Sequence, residues 1–476
     1  MSSTPPAGKP GKGRRLLGWL RRGAIVLVCV LAAAYLVYWA WMEIVASQGR
    51  AELARAIEET DTASPGWRWD DLVAARETVP PGEDSWPLIE ALYDAGGGLL
   101  PQNRLADEPP WADAAAPNRI LPPDSVTWLL RRERLIAECL PLVDALQELP
   151  RGNLPDDLWE NRDIGGRLDD WPDGLPVSVA AAVTAQRVVE AAVHDGQPET
   201  AARCLCAMLR IGAAHRDDPN FRGFSLRVSV RKLAVSGVER LLAMTNPDEP
   251  TLLRLQELLE AERRENLAHA MVRGERAQWA RFLEGLRAGQ RPLAEHMQRG
   301  MPEAWLLVRI LAHHQAFLLP AEEVQTLRAF QEAEAITRRP VAEQPPEWDR
   351  LKRQVSGAWP PELAIQLSGR AQRLIERCSD RFLEDQTRLT LVQTALACER
   401  FRRVQERWPR SLEELVPAYL PKVPRNGWNQ TLRLVERPDG LRIESPTEIA
   451  GTPYQREPLG LGLWNPDQRR LPSPPE

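Results

Sequence analysis

The sequence predicts a mainly α protein with three parts: a single N-terminal transmembrane helix, an α-helical hairpin or bundle ectodomain, and a small C-terminal α+β cap of short helix plus β-hairpin. Three observations predict it. Residues 23–42, GAIVLVCVLAAAYLVYWAWM, carry no charge. Between 125 and 406 apolar residues recur at the spacing of a helix, with Pro and Gly as punctuation and no strand candidate. From 407 onward the pattern changes to a capped turn, a Pro-rich hook and two short alternating runs around a turn signal.

The first part is residues 1–22, a basic tail. It holds Lys9, Lys12, Arg14, Arg15, Arg21 and Arg22 and no acid. In the anchor that follows, about 20 helical residues at ~1.5 Å each span ~30 Å, the thickness of the hydrocarbon core. Tyr35, Tyr38, Trp39 and Trp41 gather at its far end, where amphipathic rings prefer the interface. Basic residues on one side only place the N-terminus in the cytoplasm and the body in the extracytoplasmic (periplasmic) space. The rival is a cleaved signal peptide, whose apolar run is about 7–15 residues with an Ala-x-Ala-like exit. Here the run is longer and the exit, WMEIVASQG, matches poorly.

Residues 43–61 continue with Ile44, Ala51, Ala54 and Ile57 at near-helical spacing and read as a juxtamembrane stalk. Residues 62–124 form a Pro/Trp-rich cap segment, with Pro-Pro at 80–81, 109–110 and 122–123. It contains two short helical pieces, WDDLVAARE and SWPLIEALYD. Trp67, Trp69, Trp86 and Trp111 read as packing anchors in preference to a sugar platform, because indoles dominate buried packing.

The helical domain spans 125–406. Asp124-Ser125 caps a helix through Leu149, and a Gly/Pro/Asp-rich bridge covers 150–176. A helical hairpin follows, closed by Asp195-Gly196, with Pro198 in the first turn of its second helix. Leu226, Val230, Leu233, Gly237 and Leu241 make the next stripe, and NPDEP turns the chain at 246–250. Further helices are expected near 267–289, 301–317, 320–338, 360–378 and 380–406, with 338–350 as a surface connection. The small cap spans 407–450: Ser411 and Glu414 form a capping box, and TLRLVE and LRIES flank a Pro-Asp-Gly turn. The Pro-rich tail, 451–476, reads as disordered.

The stretch TALACERFRRVQERWPRSLEELVPAYLPKVPRNGWNQTLRL resembles the C-terminal signature of a large set of uncharacterised, membrane-anchored planctomycete proteins. That signature is itself similar to the globular end of the major pseudopilins of type II secretion. Residues 62–92, LRVSVRKLAVSGVERLLA and VRGERAQW resemble the same set in patches. The resemblance implies a fold style and a membrane location, and it supplies no activity. Two departures stand out: Arg425-Asn426-Gly427-Trp428 replaces Asp-Pro-Phe, and Asp439, Glu444 and Glu448 form no recognisable calcium loop.

Composition narrows function. Of 61 basic residues only five are lysines, a bias that reads as compositional. Setting aside the tail's +6, the net charge of −5 leaves −11 on the remainder. An acidic, extracytoplasmic body is a poor nucleic-acid binder, so no nucleic-acid partner is expected. Cys29 lies in the anchor, and the other five cysteines read mainly as small buried apolar residues. Cys204 and Cys206 sit two apart on a helix and do not bridge each other.

Chemical motifs are sparse. There is no Gly-x-Ser-x-Gly elbow, no phosphate-cradling loop and no His-Glu-x-x-His. The nearest approach to a metal set is Glu262, Glu265 and His269, with Glu190 and His194 as the sole partner pair. Their spacing is not the Glu-x-x-His of helical carboxylate sites, so neither metal nor cofactor is expected. His313-His314, adjacent on a helix, point about 100° apart and cannot easily share an ion. Asp156-Asp157 and Asp169-Asp170 lie in turn-rich loops, where Asp serves the backbone. GGGLL at 96–100 lacks a following Lys-Ser/Thr and reads as a loop. No catalytic residue is assigned. The expected function is a single-pass, membrane-anchored scaffold or interaction protein with a protein partner. The alternatives are a membrane-tethered hydrolase of envelope glycans or peptides and an accessory of a secretion or pilus-like machine.

Overall fold

The computed structural model describes residues 12–76, 79–80, 82–96, 117–120, 132–149, 174–290, 305–356, 366–446 and 459–470. The chain is mainly helical, with one small antiparallel sheet near its end. Its helices are α1 (Lys12–Ala63), α2 (Trp69–Ala74), α3 (Trp86–Ala95), α4 (Arg132–Glu148), α5 (Gly174–His194) and α6 (Pro198–Ala213). They continue with α7 (Phe221–Met244), α8 (Glu249–Arg264), α9 (Leu267–Arg287), α10 (Trp305–Thr337), α11 (Gln344–Ser356) and α12 (Gln366–Gln405). The strands are β1 (Arg433–Arg437), β2 (Gly440–Glu444) and β3 (Gly460–Trp464). These residues fall into two compact units. One comprises the chain up to Glu59 with Leu283–Gln325; the other comprises Thr60–Phe282 and the chain from Thr326 onward.

In the first unit residues 23–41 of the uncharged run lie exposed within a continuous helix, and none of its most apolar window is buried. The expected anchor and stalk are thus one helix. Further along α1, Met42, Ala46, Leu53 and Ala56 are buried on one face. Gly49 shares that face: a Cβ there would lie 3.3 Å from the Cβ of Pro320 on α10. The expected break between 317 and 320 does not occur, since Pro320 sits inside α10. Proline removes a single ladder bond and crowds one carbonyl, at a cost of about 3 kcal/mol that packing can offset.

The second unit is built on the α5–α6 hairpin. Gly196 closes it at φ +71°, a conformation side chains disfavour. Ala181, Ala185, Val188, Val189 and Ala192 of α5 are buried against α6 and α7. Small residues let the axes approach, and a Cβ on Gly237 would meet Leu205 at 2.6 Å. Helices α3 and α4 cover the hairpin. Trp67, Trp69 and Trp86 are buried, as packing anchors should be; Trp111 lies outside the described residues. So do the expected cap at Asp124-Ser125, nearly all of the 150–176 bridge, and the pairs Asp156-Asp157 and Asp169-Asp170. Cys139, Cys204, Cys206, Cys378 and Cys398 are buried and unbridged.

Two more expectations are corrected here. The helices expected at 360–378 and 380–406 are one, α12, and Ser379 bonds back to the Glu376 carbonyl without breaking it. The surface connection at 338–350 instead holds a 3₁₀ turn (Val341–Glu343) and the start of α11. Pro345 and Pro346 fall in that helix's first turn, where missing N–H groups cost nothing, and Trp348 is fully buried.

After α12 the chain forms a 3₁₀ turn, Leu412–Leu415, where an α-helix was expected. Ser411 makes no backbone cap, while the Glu414 carboxylate accepts from the Arg410 N–H at 3.3 Å. Tyr419 does reach back, its ring edge-on to Phe401 at 5.8 Å. The hairpin β1–β2 forms as expected, with Leu434 opposite Ile443. Part of the tail departs from the expectation of disorder: at Gly460–Trp464 β3 pairs with β2, placing Leu461 beside Ile443 and Leu463 beside Leu441. All four of these β2 and β3 side chains are buried in the same core as α7 and α12. The segment is therefore a continuation of the helical body, not a separate module.

Candidate functional site

The charged interior is where function would be sought, and most of its charge is mutually satisfied. Three helices, α7, α8 and α12, place Arg227, Arg231, Glu262 and Asp385 together out of water. The Arg231 guanidinium donates to Glu262 Oε2 at 2.7 and 2.9 Å, to the Glu262 carbonyl at 2.6 Å and to Asp385 Oδ2 at 2.8 Å. Arg227 donates to Glu262 and to Glu265. Burial alone would raise Glu262, but Arg231 and Arg227 hold its carboxyl below the usual range. Asp385 is pushed up by burial, with Arg231 opposing.

This places the sequence's metal candidates. Glu262 and Glu265 are engaged by arginines, while His269 Nδ1 lies 3.0 Å from Thr337 Oγ1. Burial holds the His269 imidazole below its ordinary pKa. Among the described residues no group of three or more His, Cys, Asp or Glu is arranged to hold a metal. Glu190 is pushed up to about 8 by burial, and His194 pairs with Asp195 at 3.3 Å, so the second pair does not complete a set. The His313 and His314 side chains and Glu448 lie outside the described ones.

Sequence reasoning missed a Ser–His–Asp arrangement. His215 Nε2 lies 2.8 Å from Ser178 Oγ, and its Nδ1 lies 3.9 Å from Asp218 Oδ2. The two residues bonded here are 37 apart, so no motif could have shown them. A working triad needs the acid within hydrogen-bond reach of the imidazole and a path for substrate. Here the acid is too far and all three residues are buried, with the Trp86 ring edge-on to His215. The arrangement ties the start of α5 to the loop between α6 and α7. A fluorophosphonate probe is expected to leave Ser178 unlabelled in the folded protein; labelling detected by peptide mass spectrometry would revive a hydrolase.

Beside it, Glu275 accepts from the Phe221 N–H at 2.6 Å. Burial, aided by Asp218, pushes its carboxyl up to about 7. A carboxyl raised in the folded state contributes stability that is complete below pH ~4.5 and is lost as pH rises through about 7. Glu275→Gln keeps an acceptor for Phe221 without the buried charge. It is expected to stabilise by about 1–3 kcal/mol at pH 8.5 and by little at pH 5. Urea unfolding at the two pH values checks this.

One pocket opens at the C-terminal end of α12. Its volume is about 380 Å³, and it is lined by Asn246, Arg402, Arg403, Glu406, Arg407, Trp408, Asn465 and Pro466. Glu406 turns the chain at φ +55°, bringing Arg407 and Trp408 round to the helix end. The Trp408 indole N–H donates to Asn465 Oδ1 at 2.7 Å, and the Arg402 guanidinium lies over its ring at 5.3 Å. Behind the wall the buried Glu399 carboxylate takes Arg402 at 2.6 Å and Arg469 at 2.8 Å. Arg469 also donates to the carbonyls of Thr245 and Trp464, fastening the strand β3 end. By sequence ERFRRVQER, basic residues interleaved with Glu, reads as a solvated helix face, and Asn465 and Arg469 come from a tail read as disordered.

Compared with known proteins, the chain matches no family model, no curated protein and no solved structure.

Proposed function

We propose that this is a single-pass envelope protein, N-terminus in the cytoplasm, that acts through protein–protein contact outside the cytoplasm. One observation carries the reading: 19 uncharged residues, 23–41, lie exposed on a helix that runs unbroken into the stalk. So much apolar surface in water would cost heavily, at about 25 cal/mol per Å². A bilayer removes that cost, and the +6 tail with the Tyr/Trp belt at the other end favours this orientation.

The test is extraction and protease access on native membranes. The full chain is expected to stay in the pellet at alkaline pH, and protease outside the cytoplasm is expected to degrade the body while sparing residues 1–22. Release at alkaline pH would show a cleaved or peripheral protein. Leu31→Arg, at the centre of the apolar run, is expected to oppose insertion by about 2.5–3.5 kcal/mol and move protein to the soluble fraction. In-cell crosslinking of the tagged chain then identifies the partner. Recovery with components of a secretion or pilus-like machine would support the accessory reading, in line with the likeness of the segment around Trp408. A chain crosslinked to nothing but itself would count against partner contact.

A further inference from the structure

We propose that the pocket at the end of α12 binds a carboxylate-bearing ligand, held by Arg403 and Arg402 beside the Trp408 indole. The first ground is the number of uncommitted donors. Of the five N–H groups of a guanidinium, Arg403 commits one, from Nη2 to Asn246 Oδ1 at 2.6 Å. Its Nε is buried without a hydrogen-bond partner, the Glu399 oxygen being 3.7 Å away. That Nε is closed off from the pocket, so the donors left for a ligand are the three remaining Nη hydrogens. Arg402 uses Nε and Nη2 on Glu399 and leaves Nη1 without a partner among the described residues.

The second ground is charge. Arg402, Arg403 and Arg469 share one carboxylate, Glu399, while Arg407 is matched by Glu414 at 2.8 Å. Glu406 on the lining, with Asp248 and Glu249 also acting on Arg403, offsets most of the remaining positive charge. So small a surplus suits a monoanion better than a phosphate dianion. The third ground is rigidity. Arg402 is fixed by Glu399 and stacked on Trp408, which Asn465 fixes in turn. A planar fork held in advance matches a carboxylate at low entropic cost. Carboxylates reach such a pocket either as free small acids or as the terminus of a peptide. About 380 Å³ accommodates either an acid or the last residue or two of a chain.

The experiment is calorimetric titration of the full-length protein in detergent at constant ionic strength. The probes are acetate, N-acetyl-trialanine and its C-terminal amide, and inorganic phosphate. Saturable binding of the acids is expected, with dissociation constants on the order of 1 mM. A peptide acid that binds more tightly than acetate assigns a peptide terminus; equal affinity assigns a free small acid. Arg403→Met is expected to weaken the acids about tenfold or more. Arg403→Lys keeps the charge without the fork and is expected to weaken them to a smaller degree; it serves as the test if the methionine variant does not fold. The proposal is overturned by an amide that binds as well as the acid, by phosphate binding more tightly than either acid, by affinities unchanged in both variants, or by no saturable heat.

Discussion

Arg231→Met is expected to cost the folded protein about 3–5 kcal/mol, the penalty for leaving buried charge without its partner. The guanidinium is 2 % exposed and meets Glu262 and Asp385 from three directions. Burial opposes its charge, and the two carboxylates more than restore it. Without it Glu262 keeps Arg227, but Asp385 has no other ion pair among the described residues and sits 1 % exposed. Urea unfolding of the full-length protein, followed by circular dichroism, measures the loss. A companion variant, Arg231→Met with Asp385→Leu and Glu262→Met, is expected to recover much of it, since apolar groups of similar size often replace a buried ion pair at no net cost. The two carboxylates contribute opposite pH dependences, since burial raises Asp385. Glu262 is held below its ordinary pKa, so its contribution is present above ~pH 4.5 and disappears as pH falls through its folded value. A loss well under 1 kcal/mol for Arg231→Met would show that the network is solvated and carries little.

The second large effect is expected at Gly427. Its N–H donates to Thr387 Oγ1 of α12 at 2.9 Å, and a Cβ would stand 2.1 Å from the Leu383 carbonyl oxygen. Helix backbone cannot yield as a flexible side chain can, so the hook must lift. Gly427→Val is expected to destabilise by about 3 kcal/mol or more. Thr387→Val, which removes two hydrogen bonds, from the Gly427 N–H and to the Leu383 carbonyl, but creates no clash, is expected to cost about 1–2 kcal/mol. Limited proteolysis distinguishes the two: cleavage between 421 and 431 should accelerate in the glycine variant well before global unfolding. If both variants behave alike, the close approach is relieved by local movement and the argument from sterics fails.

The Gly427 case also shows how sequence and structure divide the information. Asn426-Gly427 was legible as a turn, because that dipeptide favours backbone conformations other residues avoid. Asn426 does organise it, its side-chain oxygen accepting from the N–H groups of Trp428 and Gln430. That the same glycine is the contact point with α12 was not legible, since Leu383 is 44 residues earlier and nothing local marks it. The same holds for β3. Leu459, Leu461 and Leu463 alternate as a strand should, but the Pro- and Gly-rich surroundings outweighed a run that short. A strand becomes stable only when a partner satisfies its backbone, and β2 is that partner.

Within the body, local signals held where a helix end was chemically marked. Asp248 caps α8 by accepting from the Thr251 N–H at 3.0 Å, and Asp195-Gly196 closes the hairpin. They failed where a breaker was overruled, as at Pro320 and at Pro345-Pro346. Proline's effect depends on its place in the helix and on what packs beside it.

By itself the sequence determined the elements whose physics is local: an uncharged run long enough to cross a bilayer, a basic tail before it, a helical period through the body and a hairpin around Pro438-Asp439-Gly440. The tertiary structure decided what depends on distant partners. It brought Arg231 to Asp385, 154 residues away, and His215 to Ser178. It also set Asn465 and Arg469 at the end of α12 to complete the Arg-lined pocket. Buried charges and pockets are made by groups that meet only on folding, and their energies are set by low dielectric and geometry, which no spacing along the chain encodes.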